Sequence, residues 1–444
     1  MRKLRATHRI RPRLTLLVAA VTGGALTFVL APPAGADPAT PVAYPSGGSS
    51  TRYSGLAFDT CSAPTLDAMK AWGASPYRAV GIYFGGVNRT CAQPQLTPDW
   101  VGEVSGLGWR LLPIYKGLQP ACGARDRDQK ITSSGAAAEG RAAAKDAVTK
   151  AKALGLLPGS AFYNDIENYS RTDSGCRTAV LTYLSAWTEE LHARGYLSGV
   201  YMNLNHGAED LADAYNSSSY ARPDALWIAR YDGTQSLTGW DGIDASKWAV
   251  HQRAKQYTNS HDETYGGVRI NIDSDRLDAP VATVAHPYKV TSSGALSARS
   301  GPATTASVVR SLGAGASVNA VCQTPGSKVG DSSVWNKLSD GTYIADAYVN
   351  TPSDTGYSAI LPRCAYPYQV TAADGVNLRT GAGTANATAG TIPGGALAWV
   401  VCQAPGSEVS GTKVWNKLDT GRWVSDYYVS NASNTTYSKP APRC

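Results

Sequence analysis

The chain has 444 residues, of which 43% are hydrophobic and 17% are charged. This composition excludes an intrinsically disordered protein, and the length predicts two or three folded domains. The formal net charge is +7, but six basic residues and no acids precede residue 37, and 7 − 6 leaves about +1 for the remainder. That balance does not indicate a nucleic acid or an anionic membrane as a partner.

Residues 1–36 have the features of a secretory signal. Basic residues between Arg2 and Arg13 are followed by the uncharged apolar run Leu14–Ala31, and Ala34-Gly-Ala36 fits a small-residue cleavage site. We expect cleavage and a secreted, extracellular or wall-associated protein with no membrane attachment. An uncleaved anchor is the alternative, because the apolar run is almost long enough to span a bilayer. Residues 37–52, rich in Pro, Ser, Gly and Ala, are predicted to form a flexible lead-in.

Strand and helix patterns alternate from residue 53 to residue 280. Strands are predicted at Ser54–Asp59, Ala79–Phe84, Arg110–Tyr115, Ser160–Glu167, Leu197–Asn203, Ala225–Tyr231, Trp248–Gln252 and Val268–Asp273. Helices are predicted at Leu66–Trp72, Pro98–Leu107, Ala136–Leu154, Arg177–Arg194 and Ala208–Tyr215. This order favours an α/β fold, a (β/α)8 TIM-like barrel, with an open doubly wound sheet as the alternative. The last two crossovers have short or irregular patterns.

Residues 286–364 and 366–444 repeat each other at a constant offset of 80 residues (402 − 322). The repeated stretches are Cys322–Ser327 with Cys402–Ser407, Val334–Leu338 with Val414–Leu418, and the Pro-Arg-Cys endings at Cys364 and Cys444. Each unit has short strand patterns, turns and two cysteines of its own. We therefore predict two small all-β barrels, each closed by its own disulfide, Cys322–Cys364 and Cys402–Cys444.

The other four cysteines follow the first four predicted strands of the barrel. Loops that follow neighbouring parallel strands lie at the same rim, so Cys61–Cys91 and Cys122–Cys176 are the geometric choice among three pairings. If all eight cysteines pair in a secreted protein, none is left as a nucleophile. The sequence has no His-Glu-x-x-His zinc motif, no Gly-x-Ser-x-Gly elbow and no phosphate-binding glycine loop. Neither a metal nor a cofactor is expected.

Two acids close the fourth predicted strand. Asp165 and Glu167 are two residues apart, so their side chains should share a face, and mutual repulsion should raise at least one pKa. A carboxylic acid that stays protonated near neutral pH is what glycosidic bond cleavage requires. The alternative is one ion-pair partner and one helix N-cap.

Further acids lie at the ends of the first and eighth predicted strands, which are neighbours in a closed barrel. We predict that Asp59 and Asp273 lie side by side, with the fourth strand across the mouth and with Asp275 as the alternative late acid. Because lone buried carboxylates cost several kcal/mol, four acids at one rim favour a functional cleft. Candidate sugar platforms and hydrogen-bond partners near strand ends, with ordinary barrel packing as the alternative, are Tyr83, Tyr115, Tyr163, Tyr201 and Asn203.

Four stretches of the barrel carry a resemblance to a known family. They are Phe58–Cys61, Tyr77–Asn88, Gly108–Tyr115 and Phe162–Asn168. The barrel resembles the secreted actinobacterial glycoside hydrolase-like domains called Rv2525c-like and, more remotely, the family 25 muramidases.

This resemblance implies a role for each acid. Glu167 would be the general acid/base, Asp165 would stabilise positive charge near the sugar ring or orient an N-acetyl group, and Asp59 and Asp273 would bind substrate. His251-Gln252 stands where the muramidases have a Trp-Gln pair.

The repeats are similar to bacterial SH3 domains of cell-wall enzymes, on Leu296–Pro302, Val376–Ala382 and the two Val-Trp-Asn-Lys-Leu strands. This resemblance implies wall-peptide binding. Together the patterns predict a secreted, monomeric hydrolase of cell-wall polysaccharide, above all of peptidoglycan glycan strands. The alternative is a non-catalytic wall-binding protein with a degenerate glycosidase cleft.

Overall fold

The computed structural model describes residues 48–353, 355–431, 433 and 435–444. The predicted signal and most of the predicted lead-in lie outside the described residues. Within the described ranges, none of the helices combines the length and the apolar character that a membrane span requires.

Eight strands of the described chain form a closed barrel in sequence order. They are β1 Thr51–Asp59, β2 Ala79–Gly85, β3 Arg110–Tyr115, β4 Ala161–Asp165, β5 Leu197–Asn203, β6 Ala225–Ala229, β7 Arg253–Tyr265 and β8 Val268–Val281. The helices between the first six strands are α1 Leu66–Ala71, α2 Pro98–Gly106, α3 Ala136–Ala153, α4 Ser174–Ala193 and α5 Ala208–Asp213. The predicted TIM-like α/β barrel is confirmed.

Side-chain alternation along the strands produces two apolar layers. Inward residues such as Ala57, Tyr163 and Trp227 fill the barrel interior. Their neighbours, such as Phe58 and Phe162, face outward and pack against the helices. Both faces are buried, as expected for a parallel sheet covered by crossover helices. Alternation therefore decides which strand residues reach the barrel mouth.

Two helices begin at residues that the sequence provides as caps. Thr97 Oγ1 accepts a hydrogen bond from Trp100 N at 3.1 Å, and Pro98 follows as the first residue of α2. Asp173 Oδ1 accepts from Cys176 N at 2.9 Å at the start of α4. Such caps satisfy backbone N–H groups that have no partner inside a helix.

The closing part of the barrel differs from the prediction. The seventh strand is Arg253–Tyr265 rather than Trp248–Gln252, and β8 runs antiparallel to both β7 and β1. The turn between β7 and β8 is Gly266-Gly267, with φ of 55° and 79°, a region that favours glycine. The outer half of β7 is largely exposed, so a search for a buried apolar strand missed it.

The β7–β8 hairpin extends beyond the barrel rim. Pairing of β6 with β7 ends at Gln256, and pairing of β1 with β8 ends at Asp273, which leaves residues 257–272 outside the closed barrel. Trp72 Nε1 donates to the Val268 carbonyl at 2.9 Å, and Tyr77 OH donates to the Glu263 carboxylate at 2.8 Å. These bonds fix the hairpin beside the mouth as one wall.

The two repeats fold into curled antiparallel sheets of identical topology, compatible with small SH3-like barrels. In the first repeat the strands are β9 His286–Lys289, β10 Leu296–Arg299, β11 Val308–Leu312, β12 Ser317–Val329, β13 Ser332–Leu338 and β14 Tyr343–Ala345. In the second they are β15 Tyr366–Gln369, β16 Val376–Arg379, β17 Thr388–Ile392, β18 Leu397–Val409, β19 Thr412–Leu418 and β20 Trp423–Ser425.

All eight cysteines form disulfides in the predicted pairs. The bonds are Cys61–Cys91, Cys122–Cys176, Cys322–Cys364 and Cys402–Cys444. The first two fasten the loops after β1, β2 and β3 and the start of α4.

The repeated Asn of the Val-Trp-Asn-Lys-Leu motif belongs to a buried polar cluster. In the first repeat, Asp346 Oδ1 accepts hydrogen bonds from Gln323 at 2.9 Å and from Asn336 at 2.8 Å. The second repeat reproduces this cluster with Gln403, Asn416 and Asp426. The motif is thus explained by the internal structure of each repeat.

The second repeat closes the end of the barrel at which the parallel strands begin. Leu397 and Trp399 of β18 are buried in one apolar cluster with the barrel interior. Their equivalents in the first repeat are the exposed Ser317 and Asn319 of β12. Apolar residues therefore replace polar ones at the positions where the second repeat meets the barrel.

The residues His251-Gln252 lie at this closed end, not at the mouth. The rings of His251 and Trp399 are 6.1 Å apart, and Gln252 Oε1 accepts from Leu397 N at 3.1 Å. The expectation that this pair stands in the place of a Trp-Gln pair in a cleft is therefore wrong, because the pair lies at the other end of the barrel. The reason is the misplaced seventh strand.

Candidate active site

The opposite end of the barrel opens into a cleft of about 430 Å³. Its acidic lining residues are Asp59, Glu167 and Asp273, contributed by β1, the loop after β4, and β8. Asp165 lies beneath them at the end of β4 and is 1% exposed. The four predicted acids therefore meet at one rim. The basic side chains of the lining are Arg89, Lys116 and Arg125.

Asp59 and Asp273 form the first acid pair. They are opposite each other in the antiparallel register of β1 and β8, and Gln256 Nε2 donates to both, at 2.7 Å and 3.1 Å. Gly81 lies beside Asp59 on β2, where a Cβ atom would be 2.4 Å from the Asp59 Cβ. Glycine at that position makes room for the carboxyl group.

The pKa of Asp59 is raised well above its usual value, first by burial and then by the charge of Asp273. Burial also raises the pKa of Asp273. The neutral amide of Gln256 lowers the Asp59 pKa without reversing the shift. This pair therefore favours binding a proton.

The choice between Asp273 and Asp275 follows from the strand register. Asp273 is opposite Asp59 and lines the cleft, whereas Asp275 is opposite Ala57, two residue pairs deeper. Asp275 is fully buried and accepts a hydrogen bond from Trp227 Nε1 at 3.2 Å. Asp273 is accordingly the acid that a ligand in the cleft can reach.

Asp165 and Glu167 form the second acid pair, and Lys116 bridges them. Lys116 Nζ lies 2.9 Å from Asp165 Oδ2 and also contacts Glu167 Oε1. The Glu167 side chain is 46% exposed, so it is the open member of the pair. Burial raises the pKa of Asp165 to about 6, against the opposing effect of the Lys116 charge.

A buried glutamine fixes the backbone at both of these acids. Gln119 Nε2 donates to the Asp165 carbonyl at 2.8 Å, and its Oε1 accepts from Glu167 N at 2.9 Å. The glutamine is 0% exposed and lies in the loop after β3. It therefore sets how Glu167 leaves β4 and enters the cleft.

The aromatic candidates divide between the mouth and the core. Tyr83 lines the cleft. Tyr201 OH donates to Gln256 Oε1 at 2.7 Å and so contacts the first acid pair indirectly. Asn203 is not a lining residue of the described cleft, and its Oδ1 caps the following turn by accepting from Asn205 N at 3.0 Å.

The structure does not place Tyr115 or Tyr163 on the cleft. Tyr115 faces outward, where its hydroxyl donates to Asp146 of α3 at 2.8 Å. Tyr163 faces inward but lies one layer below Asp165, is 0% exposed, and donates to the Pro280 carbonyl at 2.8 Å. For both residues the alternative of barrel packing is the one observed.

The residues at the mouth that the sequence analysis missed include Lys116, Gln256 and Tyr231. Lys116 has the inward parity of Leu112 and Ile114 on β3, so alternation from those residues was an available signal. Gln256 depended on the correct seventh strand. Tyr231 is half exposed, and its hydroxyl donates to Gln256 Oε1 at 3.0 Å.

Two acid pairs with different bridges thus share one cleft. A neutral amide bridges Asp59 and Asp273, and an ammonium group bridges Asp165 and Glu167. Pairs of titratable groups in contrasting environments are how enzymes separate an acid from a base. No group of three or more His, Cys, Asp or Glu side chains suited to a metal ion occurs among the described residues.

Comparison with known proteins agrees with this architecture. The family described as "Rv2525c-like, glycoside hydrolase-like domain" matches residues 70–277. The matched residues extend from α1 to β8, within the barrel. None of the curated proteins matches the chain.

Solved structures similar to this barrel each cover about half of this chain. An uncharacterised B. stearothermophilus protein is 19% identical, with 51% of this chain and 99% of that chain covered and a TM-score of 0.36. The Tat-secreted Rv2525c of Mycobacterium tuberculosis, in complex with L-tartrate, is 16% identical, with 51% of this chain and 96% of that chain covered and a TM-score of 0.37. A family 25 glycosyl hydrolase from Bacillus anthracis is 14% identical, with 52% of this chain and 94% of that chain covered and a TM-score of 0.33.

Proposed function

We propose that the Rv2525c-like barrel hydrolyses a β-linked polysaccharide of the cell wall, above all the glycan strands of peptidoglycan, in a secreted protein. The observation that carries this proposal is the pairing of acids across one cleft, with Glu167 open and Asp165 buried directly behind it. The match of residues 70–277 to a glycoside hydrolase-like family supports the same class of reaction.

Glu167 is assigned as the general acid/base. It is the exposed member of its pair, it lines the cleft, and its backbone is fixed by Gln119. A group in this role donates a proton to the glycosidic oxygen as the bond to the sugar breaks, and then removes a proton from the attacking water. Exposure and fixed position are the two properties that this role requires.

Asp165 is assigned to stabilise the positive charge that develops at the sugar ring, or to orient an N-acetyl group of the substrate. Its pKa of about 6 leaves it ionised at neutral pH, and its burial strengthens its electrostatic effect on nearby charge. Asp59 and Asp273, which favour a bound proton, are assigned to donate and accept hydrogen bonds with sugar hydroxyl groups.

Aromatic side chains at the mouth suit a sugar ligand. Tyr83 lines the cleft, and Tyr201 and Tyr231 stand beside it with their hydroxyls on Gln256. Such rings combine an apolar face with a polar tip, which matches the alternating faces of a sugar ring. No cofactor is needed for this reaction.

The two repeats are proposed to hold the enzyme on the wall as a monomer. The first repeat keeps polar, exposed residues on β12, whereas the second uses the same strand of its sheet to close the barrel. Tyr348 of the first repeat and Tyr427 of the second are exposed aromatic residues at neighbouring rather than equivalent positions, and they are candidate contacts for wall peptides. A binding protein without turnover is the second candidate, because Lys116 forms ion pairs with both Asp165 and Glu167.

Digestion of purified peptidoglycan by the whole secreted chain separates these candidates. The hydrolase proposal predicts new reducing ends that increase with time and protein concentration over pH values from about 4 to 8. Co-sedimentation with the same peptidoglycan measures binding in parallel. Binding without new reducing ends, on walls of several compositions, would favour the non-catalytic protein.

A further inference from the structure

Lys116 is a buried lysine held in place by its own backbone. It follows β3, its N–H donates to the Gly85 carbonyl at 3.1 Å, and its carbonyl accepts from Asn88 N at 3.1 Å. These bonds fix the residue between the ends of β2 and β3. The side chain is only 10% exposed, so its ammonium group has lost most of its water.

The ammonium group faces the reactive pair rather than a structural partner. It contacts Asp165 Oδ2 at 2.9 Å and also Glu167 Oε1. Among the described residues, no other side chain forms a hydrogen bond with the Asp165 carboxylate, and Asp165 Oδ1 has no partner. Lys116 is therefore the group that compensates this buried charge.

The first acid pair shows what the cleft does without such a cation. Asp59 and Asp273 are bridged by the uncharged Gln256, and the interactions that act on Asp59 include repulsion from Asp273 and from Asp165. The difference between the two bridges is thus a difference in charge at similar hydrogen-bond distances. Protons are expected to bind to the pair that has no cation.

We propose that Lys116 is a positioning residue of the cleft, which holds Asp165 as a carboxylate and fixes Asp165 and Glu167 at one spacing for the reaction. This inference deepens the proposed function and rests on it, because the reaction in question is the proposed glycan hydrolysis. Lys116 touches the acids and not the bond that breaks, so it acts through them.

The charged and titratable groups around Asp165 come from several elements. Burial opposes the charge of Lys116, but the carboxylates outweigh it and raise the Lys116 pKa, so both partners are ionised at neutral pH. The other groups that interact with Asp165 are Glu167, Arg125 from the loop after β3, Asp59 from β1, Tyr83 from β2 and Tyr201 from β5.

The test replaces Lys116 by methionine or by arginine in the full-length secreted chain. Loss of an opposite charge at this distance raises a carboxyl pKa by about 1–3 units. If the Asp165 pKa rises from about 6 to about 8, the ionised fraction at pH 7 falls from about nine-tenths to about one-tenth. We therefore expect Lys116→Met to lower kcat at pH 7 about tenfold, with KM changed less than about threefold.

Two readouts are measured for each variant. The first is the titration of the Asp165 carboxyl carbon by ¹³C NMR without substrate, assigned by comparison with Asp165→Asn. The second is the pH profile of hydrolysis, whose acidic limb should move upward by the same amount in Lys116→Met. Lys116→Arg, which keeps a cation, should leave both midpoints within about half a unit of the wild type.

The matched control is Lys70→Met, which removes a lysine from an exposed pair with Asp67 on α1. It should change neither readout. An unchanged Asp165 titration in Lys116→Met would overturn the inference, and a moved titration with an unmoved rate profile would reduce Lys116 to a structural ion pair. A wild type without hydrolysis rejects the proposed function instead, and the pH dependence of glycan binding then replaces the rate profile.

Discussion

Replacing Glu167 with glutamine is expected to lower the release of reducing ends from purified peptidoglycan by about 100-fold or more. A positioned general acid/base contributes about 10²–10⁴-fold to a rate, and glutamine keeps the size of the side chain but cannot transfer the proton. The Glu167 side chain is 46% exposed, whereas Asp59 and Asp165 are buried. The loss should appear in kcat, because glutamine still fills the same space.

The same variant should still co-sediment with peptidoglycan to within about twofold of the wild type, since the repeats and the other three acids are unchanged. Glu189→Gln is the matched control: Glu189 is an exposed residue of α4 on the outside of the barrel. It should retain full activity. Hydrolysis by Glu167→Gln at more than about a tenth of the wild-type rate would remove Glu167 from the catalytic role.

Replacing Trp399 with asparagine is expected to destabilise the chain by about 3 kcal/mol or more, because a large buried aromatic residue is lost from a shared core. Trp399 is 1% exposed, packs beside His251, and lies in the apolar cluster that joins the barrel to the second repeat. For domains of this size, such a loss lowers the thermal midpoint by about 6 °C or more.

The repeats provide a control at the equivalent position. Asn319 occupies the same place on β12 and is exposed, so Asn319→Ala should change stability by less than about 0.5 kcal/mol. Circular dichroism melting and limited proteolysis would measure both variants. A Trp399→Asn chain that melts with the wild type would show that the second repeat is not part of the barrel's structural core.

The positions of the acids were predictable because side chains alternate between the two faces of a buried strand. Ala161 and Tyr163 face inward on β4, so Asp165 must also face inward at the rim, and the same alternation from Ala57 on β1 places Asp59 at that rim. On β3 the same alternation from Leu112 and Ile114 predicts that Lys116 faces inward and that Tyr115 faces outward. The sequence analysis names Tyr115 as a candidate contact for sugar because it is a tyrosine near a strand end, but the structure places its side chain against α3.

The partner of the first acid pair was not predictable in this way. Gln256 belongs to a strand whose outer half leaves the barrel, so its exposed residues do not show the apolar pattern of the strands before it. A pattern search then places the strand at Trp248–Gln252, which the structure shows at the closed end. In a long hairpin with mostly polar residues, the hydrophobic pattern does not specify the strand register, so the residues that reach the site cannot be predicted from it.

The sequence contains a signal for the different packing of the two repeats, which the sequence analysis did not use. The offset of 80 residues aligns Ser317 with Leu397 and Asn319 with Trp399. A strand position that is polar in one copy and apolar in the other indicates a new contact for the second copy. The comparison does not by itself name the partner surface, which required the barrel interior.

The most direct test of the account is a crystal structure of Glu167→Gln with a peptidoglycan glycan fragment of four or more sugars. We predict that the fragment lies in the cleft between the β7–β8 hairpin and the loop after β4. One glycosidic oxygen should lie within hydrogen-bond distance of residue 167, and Asp59 or Asp273 should contact the same sugar chain. A fragment bound elsewhere, or one that touches only one acid pair, would contradict the proposal of a single catalytic cleft.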